Sequence, residues 1–263
     1  MKNIFIVLLF FSLICTPTNH AQIITKVEND FISFLNTGGN LYSSFTQFDK
    51  STRINLAGSA LLMTAGYSVD YNAKKFASLN HSNFNNSLFS IDKVYGSGYT
   101  LLGIGGLYGY GILFNNDDVR QLGLQTIEAV GYAGLITSVL KAVVGRSRPY
   151  ANEGKARFRP FNVHAAYTSF PSGHATVSFA VSTVLANNTN SLFLKILCYS
   201  ASTLVIGARI YHNAHWLSDV ITGGLIGHFV GDFVSSQNLD RKKENSNLSI
   251  GFSFNSVNLQ YTF

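Results

Sequence analysis

Pro171-Ser172-Gly173-His174-Ala-Thr-Val-Ser-Phe-Ala-Val-Ser-Thr-Val-Leu-Ala186 opens on a turn and runs on as an unbroken segment of apolar and small residues. It is too long for an ordinary strand, and Asn187 and Asn188 close it, so it predicts a helix. Four further runs share its length and its Ala, Leu, Val and Ile content: Tyr99–Phe114, Leu122–Val144, Leu192–Ala208 and Leu217–Val234. Ile54–Ser68 adds a sixth helix nearer the N-terminus. Asn115-Asn116-Asp117-Asp118, the loop after Gly145 and Asn187-Asn188-Thr189-Asn190 punctuate these runs. The expected fold is therefore all-α, a helical bundle. After it the period changes. Leu248, Ile250, Phe252 and Phe254, then Val257, Leu259, Tyr261 and Phe263, alternate with small or polar residues around Asn255-Ser256, which predicts a C-terminal β-hairpin.

Charged residues make up only 12% of the 263 and apolar residues 46%, a balance between a soluble domain and a bundle wholly in lipid. Several of the runs are long enough to span a bilayer, yet they carry Glu128, Lys141, Lys195, Asp219, His228 and Asp232. Charges in such positions are costly and usually functional. Met1 to Ala21 reads as a targeting segment: Lys2 supplies the positive region, Ile4 to Cys15 the apolar region and Ala21 a small residue for cleavage. Its apolar part would rise about 18 Å as a helix, short of the roughly 30 Å hydrocarbon core. The division that follows is 1–21 signal peptide, 22–95 an N-terminal helical or irregular region without recognisable chemistry, 96–236 the core, and 237–263 a linker and hairpin. With the leader removed, Cys198 is the single cysteine, expected as a buried, inert thiol. Glycines at 103, 105, 106, 109 and 111 are not a phosphate loop, because no strand precedes them and no Lys-Ser/Thr follows. They are expected to let helices approach closely.

Three clusters carry chemistry. The net charge is +6, and Lys141, Arg146, Arg148, Lys155, Arg157 and Arg159 crowd one stretch against a lone Glu153. That cluster favours an anion: nucleic acid, lipid headgroup or small phosphate, unless it is a solvated basic loop. Within it, Lys141 and Arg148 pair a point charge with a planar fork of donors, suited to phosphate oxygens. Ser172 and Gly173 place a hydroxyl and a bare backbone at a helix N-terminus, where unpaired N–H groups favour an anion, and His174 would face the same anion as a proton donor. A plain serine cap with an incidental histidine is the alternative. In Ala208-Arg209-Ile-Tyr-His-Asn-Ala-His215-Trp-Leu-Ser-Asp219, His215 and Asp219 are four apart and would share a helical face if the helix has begun by His215. A carboxylate accepting the proton of one ring nitrogen leaves the other lone pair free, which makes His215 a nucleophile. Arg209 adds another donor for phosphate.

Together the clusters resemble the three motifs of the type 2 phosphatidic acid phosphatase (PAP2) and vanadium haloperoxidase superfamily: Lys-x6-Arg-Pro, Pro-Ser-Gly-His and Ser-Arg-x5-His-x3-Asp. Order and spacing fit from Lys141 to Asp219, with Ala208 in place of the serine before the third-motif arginine. The resemblance implies a PAP2-type helical bundle and a metal-independent phosphohydrolase of phosphate mono- or pyrophosphate esters. It implies a catalytic set of His215, His174 and Asp219, with Lys141, Arg148, Ser172, Gly173 and Arg209 binding phosphate. His215 would form a phosphohistidine, Asp219 orient it and His174 protonate the leaving group, with no metal and no cofactor. The partners implied are a phosphorylated, lipid-linked substrate and a membrane rather than a nucleic acid. Apolar helices and Tyr167, Phe170, Tyr211 and Trp216 lean the same way.

Export and a terminus like the last strand of outer-membrane barrels place the expected site in the periplasm or cell envelope. Oligomeric state is left unassigned. Three other readings stay open: a vanadate-dependent haloperoxidase, a metal-dependent phosphohydrolase using His212, His215 and Asp219 or His228 and Asp232, and a non-enzymatic envelope protein that binds lipid. His228 with Asp232 is better read as a satisfied pair inside the bundle.

Overall fold

The computed structural model describes residues 17–44, 46, 50–253 and 256–261. The chain divides into two units, Met1–Thr46 and Gln47–Phe263. Helix α1, Pro17–Ser44, occupies the first. Residues 1–16 of the expected targeting segment lie outside the described residues, and its last five residues belong to the first turns of α1.

The second unit is built from α2 (Lys50–Leu79), α3 (Asn83–Leu88), a 3-10 turn (Phe89–Lys93), α4 (Gly98–Leu113), α5 (Asp117–Val144), α6 (Gly173–Asn187), α7 (Leu192–Tyr211) and α8 (Leu217–Asn247). All six expected helical runs are helices. Their ends follow local chemistry: Asn116 caps α5 through Val119 N–H, Ser191 caps α7 through Leu194 N–H, and Gly145, at φ +60, ends α5 in the left-handed conformation. Residues 22–95, expected as partly irregular, are mostly helical, and α2 runs eleven residues beyond the expected Ser68. Two short antiparallel strands follow α8, Leu248–Ser253 and Ser256–Tyr261. The fold class rests on the helices alone, and the hairpin extension is left as a proposal.

α6 sits at the centre, packed on α8, α5 and α7, with α2 against α8. The contact with α8 is close because Gly223, Gly227 and Gly231 recur every fourth residue. A Cβ at Gly223 would lie 2.3 Å from Ser172 O, and one at Gly227 2.2 Å from Thr176 O. The stripe presses the start of α8 onto the first turns of α6, which joins the second and third motifs. The glycines of α4 do not behave as expected: a Cβ at 103, 105, 106 or 109 would meet nothing, and only Gly111 is pressed, against Arg120 N. Cys198 is half-buried, not fully buried as expected.

Polarity in this unit is partly inverted. Thr126, Thr137, Thr176, Ser178, Ser182, Thr183 and Ser202 are buried, while Leu101, Leu102, Leu135, Val139, Leu192, Phe193 and Ile196 are exposed. The buried hydroxyls satisfy one another and the backbone: Thr137 bonds Thr176 at 3.0 Å, and Ser182 bonds Ser202 at 2.7 Å and Tyr95 at 2.6 Å. Small polar residues between helices and apolar ones outside is the pattern of bundles that pack in lipid. α5 and α7 are long and apolar enough to cross a membrane.

Gly227→Ala is expected to destabilise the protein by about 1–3 kcal/mol through overpacking. Gly105→Ala, in open space, is expected to stabilise it by about 0.5–1 kcal/mol. Thermal or denaturant unfolding in matched detergent reads both.

Candidate active site

The three motifs meet at one end of the bundle. The loop between α5 and α6 folds back on itself there: Ser147 N–H bonds Arg157 O, Arg148 N–H bonds Ala166 O, and Ser169 N–H bonds Arg146 O. This lays Thr168 and Ser169 beside Arg146 and Arg148. Ser172 N–H then donates to Asp219 O at 2.9 Å, tying the entry of α6 to the first turn of α8.

His215 is 3% exposed and lies in the turn before α8, so it and Asp219 do not share a helical face as expected. The acceptor nearest its ring is the Ser169 carbonyl, 2.7 Å from Nδ1. A carbonyl can only accept, so Nδ1 carries the proton and Nε2 keeps a free lone pair. Asp219 Oδ2 stands 3.8 Å from the same nitrogen. It acts one step removed, accepting from Ser169 Oγ at 2.5 Å and from Trp216 N–H at 2.9 Å, and so holds the residue whose carbonyl holds the imidazole. Burial, helped by the Lys141 and Arg148 charges and opposed by Asp219, pushes His215 down to about 3, so it is neutral at ordinary pH.

Among the cationic residues, Lys141 Nζ donates to Thr168 O at 2.6 Å, and its Cε would lie 3.9 Å from a Cβ at Gly173. Arg148 reaches Thr168 O and Oγ1 only at 3.4 and 3.3 Å. Arg209 Nη1 donates to Asp92 Oδ2 at 2.6 Å, and His212 Nδ1–H donates to the same oxygen at 3.0 Å. Burial alone would raise the Asp92 carboxyl, but these two hydrogen bonds hold it below the usual carboxylate range. Ser172 precedes α6 without making a side-chain cap, against the plain-cap alternative. Ser172 Oγ, Arg148 Nε and Arg209 Nε are buried without hydrogen-bond partners. Such groups are costly unless an acceptor meets them. His174, at the start of α6, lines a cavity of about 400 Å³ with Asp92, Lys93, Ser97, Arg209 and His212. Burial first, then the Arg209, Arg148 and Lys141 charges, lower it to about 4.

The basic stretch divides. Lys141, Arg146 and Arg148 turn inward, whereas Arg157 is exposed and Arg159 pairs with Glu153 at 3.3 Å. The metal-ligand readings are not assembled: His212 goes to Asp92 and His215 to Ser169 O. His228 bonds Thr183 at 3.1 Å, and Asp232 accepts from Asn187 at 3.0 Å, so the expected His228–Asp232 pair is satisfied by two separate partners. No group of three His, Cys, Asp or Glu suited to a metal occurs among the described residues. Trp216 and Tyr211 are packing residues: Trp216 Nε1–H bonds Ser147 O, and Tyr211 stacks on Phe89.

Four residues that hold the site were not marked as site residues by the sequence. Asp92 and Asp70 lie in the region thought to carry no chemistry. Ser169 lies outside the motifs. Arg146, noted for its charge, is 2% exposed between Asp70 and Asp219. An Arg inside the six-residue spacer of the first motif was the available signal.

A histidine freed at one nitrogen, three cationic side chains and unpartnered donors are together chemically suited to receive an anionic group. Residues 122–243 match the PAP2 superfamily, and that stretch carries all three motifs. The chain is 34% identical over 114 residues to a lipid A 1-phosphatase of Rhizobium etli, covering 41% of this chain and 47% of the relative. It is 35% identical over 118 residues to an undecaprenyl-diphosphatase of Sulfolobus acidocaldarius, covering 41% and 54%. The chain thus spans about half the length of these curated relatives. Its fold resembles the crystal structure of a transmembrane PAP2-type phosphatidylglycerolphosphate phosphatase from Bacillus subtilis, with a TM-score of 0.54 and 24% identity over 72% of this chain and 94% of that one.

The shift of His215 makes a prediction for stability. Above about pH 6.5 neither the folded nor the unfolded chain protonates it, and its contribution is constant. As pH falls from there toward about 3, the unfolded chain takes up a proton that the folded chain refuses, so stability is lost. The expected slope is up to about 1.4 kcal/mol per pH unit. Unfolding midpoints at pH 7 and pH 5 should differ by more in the wild type than in His215→Asn.

Proposed function

We propose that the chain is a PAP2-type phosphohydrolase of lipid-linked phosphate mono- or diphosphate esters, working through a phosphohistidine and without a metal. The observation that carries this is His215, neutral and with Nδ1–H tied to Ser169 O so that Nε2 is the free base. In the first step the Nε2 lone pair attacks phosphorus, the bond from phosphorus to the ester oxygen breaks, and that oxygen takes the proton of His174. Water then attacks the phosphohistidine, returning a proton to His174, and the P–N bond breaks to release phosphate. Lys141, Arg148, Arg209, Ser172 and the Gly173 amide hold the non-bridging oxygens. The buried, unpartnered Ser172 Oγ, Arg148 Nε and Arg209 Nε are pre-set for charge that develops in transfer.

For His174 to act as an acid it must be charged, and a phosphate dianion among the three cations opposes the burial and the repulsion that lower it. The lipid character of the substrate is supported by what the two curated relatives are named for, by the exposed apolar faces of α4, α5 and α7, and by two helices of membrane-crossing length. Membrane association belongs to the same proposal, as does export with the site on the periplasmic side, which rests on the N-terminal segment and the strand-like C-terminal sequence. The C-terminal hairpin is proposed to pack on the bundle or to pair with a neighbouring chain.

Phosphate release from a soluble phosphomonoester and a long-chain isoprenyl pyrophosphate, measured in excess EDTA, is expected to persist. His215→Ala is expected to lower it by about 1000-fold or more. Loss in EDTA would establish the metal-dependent reading instead, and a fully active His215→Ala would remove the nucleophile. The free enzyme protonates His174 only near pH 4, so kcat/KM is expected to fall as pH rises above that value. His174→Asn should lower kcat/KM and flatten this alkaline limb.

A further inference from the structure

We propose that Asp70, in α2 and outside all three motifs, is a positioning residue for the nucleophile. The inference rests on the phosphohydrolase reading of the site. Asp70 is fully buried, and each of its oxygens is used toward the start of α8. Oδ1 accepts from Ser218 N–H at 2.9 Å, and Oδ2 accepts from Ser218 Oγ at 2.9 Å and from Arg146 Nη2 at 2.7 Å. A carboxylate on an N–H of the first turn both satisfies an otherwise unpaired donor and complements the helix dipole. Asp70 therefore fixes where α8 begins, and with it the backbone of Asp219.

The second arm runs through Arg146. Its Nη1 donates to Asp219 Oδ1 at 2.6 Å and to Ser218 Oγ at 2.7 Å, and its Nε donates to Lys155 O at 2.9 Å. Trp216 and Tyr67 lie over the guanidinium at 5.5 and 5.2 Å. The plane of that guanidinium is set from both sides, by Asp70 and by Asp219. Asp219 in turn grips Ser169 Oγ, and Ser169 O grips His215 Nδ1–H. The path from Asp70 to Ser169 Oγ is made of charged or charge-assisted hydrogen bonds, its last link is the neutral bond from His215 Nδ1–H to Ser169 O, and none of its members is a phosphate-binding cation.

That separation gives the test. Asp70→Asn keeps an acceptor for Ser218 N–H but loses the charge that orients Arg146. Its kcat is expected to fall about 10- to 100-fold, as for a small misplacement of a reacting group. KM should stay within about twofold, because Lys141, Arg148 and Arg209 are untouched. Acting through Asp219, the loss should not multiply with that of Asp219→Asn: the double variant should be close to Asp219→Asn alone. Should Asp70→Asn fail to fold, Asp70→Glu keeps the charge, lengthens the arm by a methylene and carries the same expectation. A folded variant with wild-type kcat, or losses that multiply, would overturn the proposal. The 15N signals of the His215 ring give a readout that needs no activity. The wild type should show Nδ1–H alone and Asp70→Asn a mixture of tautomers. If the wild type hydrolyses neither test compound, the phosphohydrolase reading fails and the ring signals decide the role of Asp70, an unchanged tautomer refuting it.

Discussion

A guanidinium buried at 2% exposure between two buried carboxylates is the constraint on which the rest of this site depends. Removing a charge from water costs several kcal/mol per ion, and it is offset only by good geometry and full hydrogen bonding. Arg146 meets both conditions, since all three of its nitrogens donate. The arrangement is therefore stiff rather than merely stable. The loop after α5, the start of α8 and the middle of α2 must all arrive before the charge is compensated. The loop that holds His215 by a backbone carbonyl, and the helix that holds the loop by a carboxylate, are fixed by the same group.

The helices were legible because each is a long run rich in apolar and small residues, and Asn115, Gly145 and Asn187 close three of them. The motif residues were legible because their side-chain chemistry and spacing are local: Lys141 to Arg148, Ser172 to His174 and Arg209 to Asp219 each fit within a dozen residues. The residues that join the motifs were not. Asp70 is 76 positions from Arg146 and Asp92 is 117 from Arg209, distances at which one sequence carries no register. Ser169 acts partly through its carbonyl, a group every residue possesses. The glycine reading held for Gly111 alone, for a related reason. Six glycines crowd α4, but the close approach at the site belongs to a sparser set in α8, and spacing on a helix face mattered more than number.

The interior and the exterior of the bundle divide their tasks in an uncommon way. Buried Ser and Thr hydroxyls pair across α5, α6 and α7, while Leu, Phe and Ile face outward. Within the proposed membrane such helix contacts would draw little from burial of apolar surface and depend on packing, small residues and hydrogen bonds. The Gly223, Gly227 and Gly231 stripe supplies the first two at the contact that matters most for the site. The paired hydroxyls supply the third.

The reach of Asp70 bears on how freely this motif-bearing segment could be moved between proteins. The stretch that matches the PAP2 superfamily, 122–243, contains Arg146 and Asp219 but not Asp70. Excised or grafted without α2, it would keep every motif residue and yet hold a guanidinium with one carboxylate where the intact chain gives it two. The motif-bearing segment is thus not a self-sufficient cassette. Its electrostatic account is closed by a helix that the recognisable sequence does not include, and recombination that respected only the motifs would separate the two.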